Sequence, residues 1–294
     1  MFNLEIILQQ IFYGIVLGSN YVLIAAGFSL IWGVMNVLNL AHGEFFMLGT
    51  FASYFVFTYL EWNPLIATAA SVVLVFLVGA VLEKLTVEPL RRRKKADYEL
   101  STIIMTIGIS IFLQNLALIV FGPRYKGVPA YFSGIIRFGP IIMSYDRLYI
   151  LCAAFFLIGL LLALFKYTRI GLAVRAVTDN PDGAALAGVP INRVLYISFG
   201  LSTALAGGAG ALLIPLYNAY PTVGANVILL AFSVVIFGGL GSIQGAIYAG
   251  LLVGVLESLA VLFISSTWKD VVVFLIVIIV LAFRPRGLFG IKEA

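Results

Sequence analysis

The sequence predicts an all-α protein: a polytopic transmembrane helical bundle of about eight to ten spans, with a broken or re-entrant segment near the N-terminus. Composition indicates this class, because 62% of the residues are hydrophobic and 11% are charged, and the mean hydropathy is +1.11. Length indicates it too, because the apolar runs reach roughly 20 residues, enough for a helix to cross hydrocarbon. The weak alternation of membrane β-strands is absent. We therefore expect a single transmembrane domain over residues 1–294.

Ten apolar runs follow one another along the chain. The first covers 6–26, and the second, 28–40, is short and contains Asn36 and Asn39. If the second run crosses the membrane, the chain has ten spans and its N-terminus lies inside. If it only dips into the bundle, there are nine spans and the N-terminus lies outside; we favour ten. The remaining runs are 45–59, 65–82, 102–121, 148–165, 194–217, 227–240, 247–264 and 271–283.

Lysine and arginine predict which loops share a side of the membrane. Thirteen of the eighteen lie in three segments, at about 83–100, 166–193 and 284–294. Cytoplasmic loops are enriched in these residues, so we expect both loops and the C-terminal tail to be cytoplasmic and 122–146 to face outward. This distribution explains the net charge of +5 without a nucleic-acid partner.

Polar residues inside the early apolar runs are the first functional candidates. Asn36, Asn39, His42 and Glu44 lie close together, at a place where Gly33 and Gly43 weaken the helix. A broken helix at membrane depth is tolerated where it is buried in protein or lines a watery cavity. Two interpretations remain open: a proton relay through His42 and Glu44, or side chains that pack the break and satisfy its backbone groups.

Later apolar runs carry three more polar candidates. Glu257 should face the bundle or a cavity, in a functional or a structural role. Gln114 and Asn115 are suited to hydrogen bonds between helices or to contact with a polar substrate.

The polar stretch 166–193 must lie in water, and it contains the signals of a short helix. Asn180 is a suitable N-cap, Pro181 suits the first helical position and Asp182 the first turn. Gly188 and Pro190 end the helix. Barely two turns are not stable alone in water, so we expect the helix to pack against something. It is either a docking element for a soluble partner or an ordinary surface helix.

Glycines near the C-terminus predict a close helix contact. Gly241, Gly245, Gly250 and Gly254 follow small-xxx-small spacing, which suits a seam inside the subunit or with a second one. They do not form a phosphate-binding loop, because no lysine completes a GxxxxGK pattern. We therefore expect the chain to bind no ATP by a P-loop of its own.

Catalytic and metal-binding patterns are missing. The single histidine excludes two-histidine metal motifs, there is no Gly-x-Ser-x-Gly elbow, and the only cysteine, Cys152, has no evident base. We predict no metal site and no enzyme.

Six motifs, in one order and at compatible spacings, resemble the LivH-type permease subunit of branched-chain amino-acid ABC transporters along essentially the whole chain. They are NLAHGE (39–44), EPLR (88–91), TIGISIFLQN (106–115), the loop residues Gly171, Arg175, Ala176, Asn180, Ala184, Gly188 and Val189, GGLGSIQGA (238–246) and RPRGLFG (284–290).

The resemblance implies an importer subunit of the bacterial inner (plasma) membrane, surrounded by lipid, that moves branched-chain or other neutral amino acids by ATP-driven alternating access. Urea or short amides are the alternative substrates. The implied partners are a second homologous permease, two cytoplasmic ATP-binding subunits and a periplasmic or lipid-anchored substrate-binding protein. No cofactor is expected on this chain, because ATP and magnesium would be bound by the partner subunits.

The resemblance also implies roles for particular residues. The short helix would be the element that couples to the ATPase, with Arg175, Asn180, Asp182, Ala184, Leu186 and Gly188 at the contact. We expect the translocation path to be lined by Asn36, Asn39, His42, Gly43, Glu44 and Gln114. The rival hypothesis is a proton-coupled secondary transporter that uses His42, Glu44 and Glu257 and needs no ATPase.

Overall fold

The computed structural model describes residues 4–91 and 98–289, and over these ranges the chain is a bundle of apolar helices with one small hairpin. The helices are α1 (Leu4–Met35), α2 (His42–Tyr59), α3 (Pro64–Leu82), α4 (Glu88–Arg91), α5 (Tyr98–Phe121), α6 (Tyr145–Tyr167), α7 (Arg169–Asp179), α8 (Pro181–Leu186), α9 (Ile191–Leu213), α10 (Val223–Gly238), α11 (Ile243–Phe263) and α12 (Lys269–Phe283). A π-helical turn, Glu83–Val87, joins α3 to α4. Strands β1 (Ile135–Phe138) and β2 (Ile141–Ser144) pair antiparallel.

The predicted all-α membrane class is confirmed. Six helical segments in the described ranges are long and apolar enough to cross a membrane, and α10 is a shorter apolar helix; the six are Leu4–Met35, Pro64–Arg91, Tyr98–Phe121, Tyr145–Tyr167, Ile191–Leu213 and Ile243–Phe263. The predicted basic residues Arg92, Arg93, Lys94, Lys95 and Lys292, together with Gly290, lie outside the described residues.

The prediction of a separate span at 28–40 is wrong. Helix α1 runs without interruption from Leu4 to Met35. Gly27 marks a close contact rather than a helix end: a Cβ at this position would lie 2.6 Å from the Ser202 carbonyl oxygen. The Ser202 hydroxyl donates to the Gly27 carbonyl at 2.5 Å, so the glycine lets α1 and α9 approach. The break predicted around Asn36, Asn39 and His42 is confirmed, because α1 ends at Met35 and α2 begins at His42.

The N-terminal end of α1 lies on the same side of the bundle as the β-hairpin. The Gln9 side-chain amide donates to the Ile142 carbonyl at 2.5 Å and accepts from the Ile142 N–H at 2.7 Å. We call this the hairpin side. The ten-span alternative requires the N-terminus and 122–146 on opposite sides, so it is wrong. Because six described segments reach the length and composition of a span, the nine-span alternative stays a prediction.

The bundle has an inner and an outer layer. Helices α1 and α9 are largely buried, whereas α3, α5 and α6 expose most of their surface. Helix α1 packs on α11, α9, α10 and α6, and α9 also packs on α2 and α3. The central position of α1 means that the break at its end lies beside the core.

Glycines form the contact between α1 and α11. A Cβ on Gly18 would lie 2.9 Å from the Gly250 carbonyl oxygen, and one on Gly250 would lie 2.8 Å from the backbone N of Val22. Gly254 faces the backbone of Gly18 and Gly14. Of the two alternatives left open by the spacing, the structure places Gly250 and Gly254 inside the subunit. Gly241, which has φ +80°, lies near Gly33, and Gly245 faces Gly238.

Candidate functional site

The helix break is held by side chains that bond its freed backbone groups. Helix α1 ends where Asn36 adopts a left-handed conformation with φ +51°. The Asn39 side-chain oxygen accepts from the Ala41 N–H at 3.1 Å. The Leu40 N–H donates to the Thr106 hydroxyl on α5 at 3.2 Å. Asn36 itself is exposed, so only Asn39 of this pair points into the break.

His42 is fully buried and faces α1. Its Nε2 lies 3.1 Å from the Ile24 carbonyl oxygen, which can only accept, so this nitrogen is the donor. The ring meets Phe28 edge-on, with centroids 5.5 Å apart. Nδ1 has no hydrogen-bond partner among the described residues. His42 therefore ties the start of α2 to the middle of α1.

Glu44 forms a polar cluster between α2 and α5. The residue is 2% exposed. One oxygen, Oε1, accepts from the Ser110 hydroxyl at 3.0 Å and from the Gln114 amide at 2.7 Å. Oε2 has no hydrogen-bond partner in the described part of the chain. Gly43 meets the Gly224 carbonyl group, which brings the start of α10 against the same place.

The six path candidates are therefore only partly brought together. The Gln114 amide donates to Glu44, and Gly43 precedes Glu44 in α2. Asn39 and His42 are buried but bond to other groups, and Asn36, directly after α1, is exposed. Sequence reasoning missed Ser110, although it lies one helical turn before Gln114 and so shares its face. That these residues line a path stays a prediction.

We expect Gln114→Leu to destabilise the protein by about 1–3 kcal/mol, because it removes a donor from the buried Glu44 carboxylate. Asn115→Leu is the matched control. Asn115 is exposed and donates to the Ile111 carbonyl within α5, so this substitution should change the free energy of unfolding by no more than about 0.5 kcal/mol. The measurement is the free energy of unfolding of both variants in the same detergent. Equal losses would contradict a role for Gln114 in holding α5 to α2.

A second polar cluster lies on the hairpin side. Glu257 is 1% exposed. Its Oε2 accepts from the Tyr21 hydroxyl at 2.6 Å, and its Oε1 pairs with the Lys269 ammonium. Lys269 also lies 3.7 Å from the Asp270 carboxylate. The sequence contained one signal for this cluster: an acid inside an apolar run needs a partner. It gave no sign that the partner is Lys269.

Two adjoining cavities open beside this cluster. The larger has a volume of about 550 Å³ and lies between α1, α10, α12 and the segment that joins α9 to α10. The smaller has a volume of about 370 Å³. They share Leu17, Leu216, Tyr217 and Lys269, and none of the six path candidates lines either one. The residues that line the larger are Leu17, Tyr21, Ile24, Phe46, Tyr125, Leu213, Leu216, Tyr217, Asn218, Tyr220, Val223, Asn226, Val227, Leu229, Leu230, Ser233, Lys269, Asp270, Val273 and Phe274.

Helix α8 has the caps that the sequence predicts. The Asn180 side chain accepts from the Gly183 N–H at 2.9 Å, and Pro181 occupies the first position. At the other end the Val189 N–H donates to the Ala184 carbonyl at 3.0 Å and the Gly188 N–H to the Ala185 carbonyl at 3.0 Å. This Schellman arrangement needs a left-handed residue, and Gly188 has φ +81°.

One side chain anchors α8 and another projects from it. Ala184 is 5% exposed, whereas Leu186 is 92% exposed. Asp182 and Arg175 are also exposed. Helix α8 contacts α7 and α9, and α7 in turn contacts α6, α9 and α1. The structure thus presents a large apolar side chain on a short, doubly capped helix that is connected to the core.

An apolar helical bundle with a polar cluster at a helix break and a cavity between its helices has the architecture of a membrane transport protein. The chain belongs to the branched-chain amino acid transport system / permease component family, whose model matches residues 10–281. Relatives match over nearly the whole chain.

Three of these relatives show how far the similarity extends. The high-affinity branched-chain amino acid transport system permease protein LivH of Salmonella typhimurium is 34% identical, over 97% of this chain and 96% of that protein. BraD of Pseudomonas aeruginosa, described in the same words, is 33% identical with the same coverage. A probable LivH of Methanocaldococcus jannaschii is 32% identical, over 96% of this chain and 93% of that protein.

Proposed function

We propose that this chain is the permease subunit of an ABC importer that carries branched-chain or other neutral amino acids across the bacterial inner membrane. The family and the full-length relatives support the transport role and the substrate class. The observation that carries the importer mechanism is α8, because an exposed leucine on a helix that is capped at both ends is suited to the groove of a soluble partner.

The proposed assembly contains four further components. A second homologous permease completes the passage, two ATP-binding subunits hold ATP and magnesium beneath α8, and a substrate-binding protein delivers the amino acid at the hairpin side. In this arrangement the α7–α8 segment and the C-terminus face the cytoplasm. The exposed faces of α3, α5 and α6 leave room for the second permease and for lipid.

In the proposed mechanism, alternating access depends on the contacts that connect α8 to the core of the bundle. Closure of the ATP-binding pair moves α8, and α7 transmits the movement to α1, whose end is the break beside Glu44. Shifting a two-state population from 1:99 to 99:1 takes roughly 5.5 kcal/mol, within reach of nucleotide-driven closure. Glu44 lies on α2, which is joined to α1 through the break, so a small rotation of α1 would shift Glu44 relative to α5 and α10.

The geometry does not favour the proton-coupled rival. His42 bonds to Ile24, Glu44 to Ser110 and Gln114, and Glu257 to Tyr21 and Lys269. The three ionisable groups therefore have separate partners in the described structure, and no hydrogen bond joins any two of them.

Reconstitution separates the two mechanisms. We expect vesicles that contain this chain with its ATP-binding subunits and a second permease to accumulate radiolabelled L-leucine only when ATP and the binding protein are present. Vesicles with this chain alone should accumulate none, with or without a pH gradient. Leucine uptake by the chain alone, driven by a pH step, would overturn the proposal in favour of the secondary transporter.

A further inference from the structure

The larger cavity combines charges of both signs with hydrocarbon walls. Lys269 and Asp270 line it side by side at the start of α12, with Nζ and Oδ1 3.7 Å apart. Leu213, Val223 and Val273, which are 2–7% exposed, are among its apolar walls. Its volume of about 550 Å³ is in the usual range for small-molecule sites.

Lys269 is held in place with hydrogen-bonding capacity to spare. Glu257 is engaged at both oxygens, by the Tyr21 hydroxyl and by the Lys269 ammonium, so it fixes the lysine and has little left for a ligand. An ammonium has three N–H donors, and its distance of 3.7 Å from Asp270 is longer than a hydrogen bond. Lys269 can therefore donate to a further group, and Asp270 can accept from one.

This combination selects one kind of small molecule. A purely apolar occupant, such as an acyl chain, would form no hydrogen bonds with the two charged groups at one end of the cavity. A simple anion would meet the Asp270 carboxylate next to Lys269, and a simple cation would leave the remaining N–H donors of Lys269 without an acceptor. A ligand with a carboxylate and an ammonium a few bonds apart satisfies both, provided that the rest of it is apolar.

We infer that the larger cavity binds a neutral amino acid with an aliphatic side chain, whose carboxylate accepts from Lys269, whose ammonium donates to Asp270 and whose side chain packs in the apolar part. The inference rests on the proposed function and places a substrate site on the hairpin side, apart from the Glu44 cluster. The substrate would stop here, between the side of entry and the helix break.

Thermal unfolding of the purified full chain tests the site without any partner subunit. At a concentration roughly tenfold above its dissociation constant, L-leucine should raise Tm by about 2 °C. Isoamylamine lacks the carboxylate and 4-methylpentanoate lacks the ammonium, so at the same concentration neither should produce this rise.

Variants assign the effect to the cavity. Asp270→Asn, at a side chain that is 58% exposed, should keep the unliganded Tm and lose the leucine shift. The double variant Glu257→Gln and Lys269→Gln removes the buried pair without leaving a lone charge and should lose the shift too. Arg147→Gln is the matched control, because Arg147 lines only the smaller cavity, and it should keep the shift.

The other outcomes either overturn the inference or separate it from the proposed function. If all three compounds shift Tm equally, the cavity takes an apolar or unspecific occupant. If leucine produces no shift, or shifts Asp270→Asn as much as the unaltered chain, the charges do not bind it. Should leucine fail to bind while the assembled transporter still takes it up with ATP, the site is wrong and the proposed function stands. Binding of leucine by the chain without ATP-driven uptake by the assembly would support the site and contradict the proposed function.

Discussion

Leu186→Arg is expected to detach the ATP-binding subunits from this chain and to lower ATP-driven leucine uptake by roughly 30-fold or more. The side chain is 92% exposed, so the substitution should leave folding within about 0.5 kcal/mol of the original. In a protein interface, loss of a central apolar anchor typically costs about 2 kcal/mol or more, and an unpaired buried charge adds to that. Because about 1.4 kcal/mol corresponds to a tenfold change in affinity, a loss of 2 kcal/mol lowers the affinity for the ATP-binding subunits about 30-fold.

Two measurements check this result. The first is the amount of ATP-binding subunit that co-purifies with the variant, and the second is uptake in vesicles. Phe138→Arg on the hairpin is the matched control, because Phe138 is 60% exposed and lies on the opposite side of the bundle. It should co-purify with the ATP-binding subunits as the unaltered chain does. Undiminished co-purification and uptake with Leu186→Arg would contradict the role proposed for α8.

The helix α8 could be predicted residue by residue because its signals are local. Asn180, Pro181 and Gly188 each act on backbone groups within a few positions, so their effect does not depend on the rest of the fold. Its anchoring through Ala184 was not predictable in the same way, because burial there depends on contact with α7 and α9.

The start of the chain shows why local signals also misled. Gly27 is followed by a run that contains polar residues, which predicts the end of a helix. In the structure this glycine instead allows close contact between α1 and α9. A single sequence does not distinguish a glycine that is needed for helix packing from a glycine that ends a helix. The polar residues around the break at 36–41 did predict it, whereas the left-handed conformation of Asn36 and the start of α2 at His42 are seen only in the structure.

The polar clusters could be predicted in part. Burial of Glu44 and Glu257 followed from their apolar surroundings. Their partners lie far along the chain: Gln114 is 70 residues from Glu44, and Tyr21 is 236 residues from Glu257. Pairings at such separations are set by helix packing, which a single sequence does not reveal. For the same reason the cavity beside Lys269 was not among the predicted sites.

Gly254→Leu is expected to destabilise the bundle more than the loss of any single hydrogen bond within it. A Cβ at Gly254 would already press on the Cα and N of Gly18 and lie 2.5 Å from the Gly14 carbonyl oxygen. These are backbone atoms of α1, which cannot rotate away as a side chain could. Overpacking usually costs about 1–3 kcal/mol and occasionally more. Because α1 and α11 would have to separate, we expect a loss of stability at the upper end of this range, or failure to fold.

The graded test compares alanine at two glycines. Gly254→Ala should lower Tm, because even one methyl group meets the α1 backbone. Gly159→Ala in α6 is the control: nothing lies within 4 Å of its added Cβ, so better helix propensity should leave stability unchanged or raise it by about 0.5–1 kcal/mol. Similar Tm values for the two variants would mean that α1 and α11 are not in backbone contact. That result would also weaken the proposed mechanism, because α1 can carry movement from α7 to the break only if it is held along its length by the helices around it.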